Sequence, residues 1–280
     1  MKKTILFLCA FLSAVSAQTQ NAGSHSEWKS TAVVNINFTQ NHFDNWTQGG
    51  ANSWSWQSDF LPKFVYEDSA FQWANTGKFS FGQAKVADAQ SRKSADEIRL
   101  ESLLTYKIGT WVNPYAAVTG LTQFTGGYNY STAPKTEVSG FLDPGYFTQS
   151  AGLGFQPNPR VRIRIGAACK ETVTRNHPAP YADDPKTSKV EKVKVEPGAE
   201  WVTDAELKLH DNILFTSKLE AFSNFKGFNS IDVNWDNMFS SKISKLLSVS
   251  FNVRIFYDRD ISAKRQIKQV LAVGLSYVLL

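Results

Sequence analysis

The sequence predicts an all-β protein, a twelve-stranded antiparallel transmembrane β-barrel with short periplasmic turns and longer extracellular loops. Three observations predict this fold. Apolar and polar residues alternate with a period of two along almost the whole chain, the alternating segments number twelve, and the connections between them alternate in length. Charged residues make up 20% of the 280-residue chain, and no apolar run is long enough for a membrane-spanning helix.

The N-terminus predicts a secretory signal peptide. Lys2 and Lys3 form a basic segment, residues 5–12 form an apolar segment, and residues 15–17 are the small-residue cleavage site. The apolar segment is too short to span a bilayer as a helix. The chain is therefore divided into a cleaved signal peptide at 1–17, a short N-terminal periplasmic segment at 18–27 and the outer-membrane barrel at 28–280.

The strands are predicted from alternation that leaves one apolar and one charged face. In one segment, for example, Ile98 and Leu100 alternate with Glu97, Arg99 and Glu101. Lengths of roughly 10–14 residues suit tilted strands that cross a bilayer. The predicted strands are 28–40, 52–66, 71–83, 97–108, 112–124, 146–156, 160–170, 199–209, 213–223, 230–243, 247–258 and 268–280.

The connections place the two ends of the barrel on opposite sides of the membrane. Tight connections are predicted at 67–70, 109–111, 157–159, 210–212 and 244–246, and longer ones at 41–51, 84–96, 125–145, 171–198, 224–229 and 259–267. A soluble β-sandwich also has alternating strands, but its loops do not alternate in length so regularly. The pattern therefore favours a barrel with both termini in the periplasm.

The C-terminal segment supports this assignment. Leu271, Leu275, Tyr277 and Leu279 share one face, and the segment resembles the terminal-strand signal that the outer-membrane assembly machinery reads. Two departures are Val273, where that signal prefers a polar residue, and a chain end in Leu rather than an aromatic residue.

Aromatic and glycine residues cluster in the first long connection. Trp46, Trp54 and Trp56 suit an interfacial aromatic girdle. Gly49 and Gly50 permit positive φ and a close approach of the backbone. We interpret both features as structural.

A set of motifs gives a more specific indication. In order along the chain these are NWTQGGANS at 45–53, RKSADE at 92–97, LTQF at 121–124, FLDPGY at 141–146 and IDVNW at 231–235. Together they resemble an uncharacterised family of Gram-negative outer-membrane barrels, a domain of unknown function, over about residues 28–280. The resemblance implies a barrel in the bacterial outer membrane, and it implies no catalytic residue. The segment 162–174 is more basic than the family suggests.

The lumen is the surface on which function depends. The candidate lumen-lining residues are Arg160, Arg162, Arg164, Lys170, Glu200, Asp204, Glu206, Lys218 and Glu220. The basic residues alone suggest a narrow channel or transporter for small polar or acidic solutes. The acidic residues on the next strands suggest instead a ladder of opposite charges that closes the lumen, with Asp204 and Glu206 as the nearest partners of Arg162 and Arg164. The second interpretation makes the protein a structural or partner-binding barrel in an envelope complex.

Enzymatic activity is not expected, although a rim-located hydrolase is a third possibility. His42 lies beside Asp44, and His177 lies near Asp183 and Asp184, both in long loops, but no serine-hydrolase or zinc motif occurs. We expect no cofactor and no metal site. The expected partners are outer-membrane lipid, the assembly machinery through the C-terminal strand, and an envelope protein. Cleavage of the signal peptide removes two of the 30 basic residues and none of the 25 acidic ones, and the remaining net charge of about 28 − 25 = +3 is too small to imply nucleic-acid binding.

Overall fold

The computed structural model shows a closed antiparallel barrel of twelve strands with a small two-stranded sheet in one loop. The structure describes residues 27–45, 47–48, 50–179, 181–225 and 231–279. In chain order the strands are β1 (Glu27–Asn41), β2 (Ser53–Glu67), β3 (Phe71–Val86), β4 (Arg92–Tyr106), β5 (Val112–Thr122), β6 (Gly127–Asn129), β7 (Thr136–Ser139), β8 (Gly145–Asn158), β9 (Val161–Val173), β10 (Val193–His210), β11 (Ile213–Asn224), β12 (Ile231–Lys242), β13 (Leu247–Tyr257) and β14 (Gln266–Val278). The predicted fold class is confirmed.

Each barrel strand pairs with its neighbour along the chain, and β5 pairs with β8 because β6 and β7 form the separate sheet. Pairing of β1 with β14 closes the barrel, in register from Val33 opposite Val278 to Asn37 opposite Gly274. Closure gives backbone hydrogen-bond partners to both terminal strands, as a lipid environment requires. In the described part of the chain, no helix is long and apolar enough to cross a membrane.

The alternation sorts residues between the two faces as predicted. Large apolar residues stay exposed on the outside, including Leu100 at 51% and Ile165 at 50%, while Arg164 on the other face is 2% exposed. On β14, Leu271 and Tyr277 are likewise exposed. An apolar outer face on a closed barrel is the surface that meets lipid, so the protein lies in the bacterial outer membrane.

The strands differ from the prediction in three places. A long connection is predicted at 84–96, but β3 ends at Val86 and β4 begins at Arg92. The polar motif in this region lies in the strand, where Asp96 pairs with Lys93 at 3.0 Å and accepts the backbone N–H of Phe124 at 2.6 Å. Similarly, β10 begins at Val193 rather than at 199, and the hairpin of β6 and β7 lies where only a loop is predicted.

The aromatic and glycine features of the first loop are partly described. Gly50 has a φ of 147°, and a Cβ atom there would lie 2.8 Å from the Phe43 ring. Trp56 contacts Phe81 with ring centroids 5.8 Å apart. Trp46, Gly49 and the segments 1–17 and 18–26 lie outside the described residues.

Candidate functional site in the lumen

Charged side chains from non-adjacent strands meet in the middle of the lumen. Glu101 on β4 lies 2.6 Å from Arg164 on β9 and also pairs with Lys218 on β11. Four strands separate β4 from β11 along one side of the barrel and six along the other, so this carboxylate reaches across the lumen rather than along the wall. The side chains of Glu101 and Arg164 are 11% and 3% exposed.

The neighbouring acids make the same kind of contact. Glu220 on β11 lies 2.7 Å from Arg99 on β4, and Glu97 on β4 lies 2.5 Å from Arg254 on β13. Lys78 on β3 lies 3.5 Å from Glu97 and 3.7 Å from Asp236 on β12. We call this set the charge belt, which comprises Lys78, Glu97, Arg99, Glu101, Arg164, Lys218, Glu220, Asp236 and Arg254.

A cavity of about 130 Å³ lies on the extracellular side of the charge belt. We call it the outer cavity. In the wall of this cavity, the Lys170 ammonium lies 2.7 Å from Asp232 and 3.3 Å from Asp258. The ionisable side chains that line the cavity are Arg99, Arg164, Lys170, Glu200, Glu220, Asp232 and Asp258, together with Tyr146.

The predicted lumen residues fall into three groups. The residues that line the outer cavity are Arg164, Lys170, Glu200 and Glu220. Lys218 lies in the charge belt, and Asp204 lies 3.9 Å from it. Arg162 and Glu206 lie nearer the periplasm, and Glu206 is exposed. Arg160 lies in the exposed turn between β8 and β9.

The predicted partners of the arginines are wrong. Arg162 is in register with Asp204 on the adjacent strand, yet no ion pair joins them in the structure. Arg164 pairs instead with Glu101, because the two side chains meet across the lumen at the same depth. The predicted ladder between neighbouring strands therefore does not form at these two arginines, whereas Lys218 and Asp204 on the adjacent strands β11 and β10 lie 3.9 Å apart.

Six of the nine charge-belt residues are not among those predicted from the sequence to line the lumen. Glu97, Arg99 and Glu101 lie on the polar face of a correctly predicted strand, and Arg254 lies on the polar face of another. The same alternation that revealed Arg164 therefore marks these residues as inward. A charged side chain at a position of inward parity is the sequence feature from which they could be assigned to the lumen.

The extracellular rim contains a buried carboxylate, Asp143, which is 3% exposed. Its side chain accepts the backbone N–H groups of Arg175, Asn176 and His177 at 2.8, 2.8 and 3.2 Å, and it lies 3.0 Å from His177 Nδ1. Burial raises the pKa of Asp143, but these hydrogen bonds outweigh it and lower the pKa to about 2. The ionised Asp143 thus ties the loop at 174–192 to the loop at 123–144.

This arrangement also revises the neighbourhood of His177. The sequence places it near Asp183 and Asp184, but its partner is Asp143. Asp183 and Asp184 are hydrogen-bonded within their own loop, Asp183 to the backbone N–H of Glu191 at 2.9 Å. Within the described ranges, no three His, Cys, Asp or Glu side chains are grouped so as to hold a metal ion.

Comparison with protein families places the chain. It belongs to the family described as protein of unknown function, DUF481, whose model matches residues 126–278, more than half of the chain. The model of another family, described as protein of unknown function DUF3078, matches residues 38–128. The resemblance to an uncharacterised family is therefore confirmed. No curated protein matches the sequence.

Several solved structures resemble the fold distantly. The translocator domain of autotransporter NalP from Neisseria meningitidis is 8% identical with a TM-score of 0.41, over 89% of this chain and 86% of that chain. The Pseudomonas putida toluene transporter TodX is 9% identical with a TM-score of 0.31, over 92% and 89%. The outer membrane channel DcaP of Acinetobacter baumannii is 7% identical with a TM-score of 0.30, over 94% and 99%. These likenesses are too distant to indicate a function.

Proposed function

We propose that the protein is a narrow outer-membrane channel that passes small polar solutes through a lumen constricted by the charge belt. The observation that carries this proposal is the order of features along the lumen. A solute that enters from outside meets the outer cavity first and then the charge belt. Arg99 and Glu220 belong to both, because this ion pair of the belt also lines the cavity. Charged walls with a narrow constriction are the features by which channels select solutes.

The ion pairs of the charge belt are suited to rearrangement, because single side chains contact more than one residue of opposite charge. Glu101 contacts both Arg164 and Lys218, and Lys218 also lies 3.6 Å from Glu220. Breaking a buried ion pair is costly when it leaves a bare charge. A side chain with a second partner of opposite charge nearby avoids most of that cost when the first contact breaks. The belt therefore narrows the lumen without fixing one arrangement.

A second candidate function is a closed structural barrel. The observation that favours it is that ion pairs tie β4 to β9, β11 and β13 across the lumen. If the belt never parts, the protein serves as a scaffold and passes nothing.

Planar-bilayer recordings separate the two candidates. The key variant combines Arg99→Ser and Glu220→Ser, which removes one cross-lumen pair and leaves the net charge unchanged. We expect small discrete openings for the wild-type protein and larger ones for the double variant, because the constriction is wider. Silence from both proteins contradicts the channel and supports the scaffold.

A matched control removes an ion pair that lies outside the constriction. Lys107 lies 2.8 Å from Glu67 at the periplasmic end of the barrel. The combination Lys107→Ser and Glu67→Ser also leaves the net charge unchanged, so its conductance should equal that of the wild type. Wider openings in this control would mean that the change reflects loosening of the whole barrel.

A further inference from the structure

The carboxylate of Glu200 in the outer cavity lacks a cationic partner. Its Oε1 accepts the hydroxyl groups of Tyr115 at 3.1 Å and Ser150 at 2.6 Å. Among the described residues no Lys, Arg or His side chain lies within ion-pair distance of Glu200, and its Oε2 has no hydrogen-bond partner. Both hydroxyl groups are neutral donors, so among the described residues this carboxylate has hydrogen-bond partners but no ion-pair partner.

The other charges of the cavity are neutralised. Arg99 lies 2.7 Å from Glu220, Arg164 lies 2.6 Å from Glu101, and Lys170 lies between Asp232 and Asp258. Each cation that lines the cavity therefore already has a carboxylate. Over the residues that the structure describes, the charged side chains that line the cavity are three cations and four carboxylates, which leaves one negative charge in excess, and Glu200 is the carboxylate among them that is in no ion pair.

Apolar and aromatic side chains make up much of the remaining wall, which also includes Thr119, Thr148 and Asn234. Val202 is 4% exposed and Phe222 is 9% exposed, and both line the cavity with Leu121 and Phe256. The Lys170 ammonium already lies 5.7 Å from the Phe222 ring and 5.8 Å from the Tyr146 ring. Aromatic faces attract cations, and an apolar wall favours an organic cation over a hydrated inorganic ion.

We propose that the outer cavity binds a compact organic cation with a primary ammonium group, which pairs with Glu200 while a short alkyl chain packs against Val202 and Phe222. The volume of about 130 Å³ limits the ligand to a few heavy atoms. That this cation is also a solute of the channel rests on the proposed function, whereas its binding requires only the cavity. The proposed ligand is positively charged, whereas the basic residues of β9 suggest acidic solutes from the sequence alone.

Calorimetric titration of the folded protein in non-ionic detergent tests the site, with empty micelles as the blank. The probes are n-butylammonium, butyrate and butyramide, which have similar size and carry positive, negative and no charge. We expect saturable binding of butylammonium alone. Glu200→Gln should weaken that binding at least about tenfold, because the charge-assisted hydrogen bond is lost while the side-chain shape is kept.

Glu206→Gln is the matched control, because Glu206 lies on the same strand and face but is exposed and outside the cavity. It should bind butylammonium as the wild type does. The proposal is overturned if butyrate binds as well as butylammonium, if Glu200→Gln binds butylammonium unchanged, or if potassium chloride displaces it at equal concentration. Bilayer silence with intact binding would reject the channel and leave the site standing, and the reverse result would reject the site alone.

Discussion

Arg164 and Arg162 lie two residues apart on the same strand and face, yet their environments differ. Arg164 is 2% exposed and lies 2.6 Å from Glu101 across the lumen. Arg162 is half-buried, and in the described part of the chain no carboxylate lies within ion-pair distance of it. Nearer still to the periplasm, Lys208 pairs with Asp211 at 2.9 Å, with side chains 63% and 86% exposed.

The difference shows that depth decides what an inward charge does. In the middle of the barrel, side chains of opposite walls reach one another and lose much of their hydration, so each needs a partner. At the periplasmic end, water solvates the same residue types and ion pairs contribute little. The variants below test this contrast, starting with the largest expected effect.

Glu101→Ala should be the most destabilising substitution. It leaves both Arg164 and Lys218 without this carboxylate, and loss of one partner from a buried ion pair costs about 3–5 kcal/mol. The measurement is the free energy of unfolding by urea in detergent or vesicles. Glu206→Ala, which removes an exposed carboxylate from the periplasmic end, should lie close to the wild type. Equal values for the two variants would contradict the role of depth.

The face assignment, as opposed to depth, is tested by Val253→Arg. Val253 shares the outward parity of Phe251, while Arg254 next to it pairs with Glu97 in the lumen. An arginine facing lipid near the midplane should lower the free energy of unfolding by about 2–4 kcal/mol. Val253→Leu, which keeps the apolar surface, should be nearly neutral. A mild effect of the arginine would mean that this strand is turned the other way.

The faces and strands of the barrel could be predicted from the sequence because alternation is a local property of the chain. Glu97, Arg99 and Glu101 on β4 could have been included in the lumen on that basis. Their partners could not, since Glu101 meets Arg164 only where the diameter of the barrel and the relative depth of non-adjacent strands bring them together. The same reason applies to Asp143, whose partners lie in a loop more than thirty residues further along the chain.

Acid tests the rim, where three of the partners of the buried carboxylate are backbone N–H groups. The pKa of Asp143 is lowered to about 2 from its ordinary value of 3.8. Its stabilising effect is therefore complete above about pH 4 and is lost as the pH falls through about 2. Hydrogen-exchange protection of the Asn176 amide, corrected for the intrinsic rate at each pH, should fall over that range.

Asp143→Asn is the control for that experiment, because it lacks the charge at every pH. It should show weak protection of the Asn176 amide already at pH 5, at a local cost of about 1–3 kcal/mol for a weakened set of buried hydrogen bonds. Protection that is unchanged between pH 5 and pH 1.5 in the wild type would show that the loops are held together by other contacts.

The smallest effect is expected for Arg162→Ala, and it sharpens the comparison most because Arg164→Ala is its counterpart two residues away. Arg162 is only half-buried and is joined to no carboxylate among the described residues, so its removal should change the free energy of unfolding by no more than about 0.5 kcal/mol. Arg164→Ala should cost several times more, since Glu101 keeps only Lys218 as a counter-charge. Both variants remove one positive charge from the same face of β9. A difference in stability between them therefore cannot result from the net charge of the protein. A large loss of stability for Arg162→Ala would mean that the periplasmic end of the lumen is as dry as the middle, and that the charge belt extends along the whole barrel.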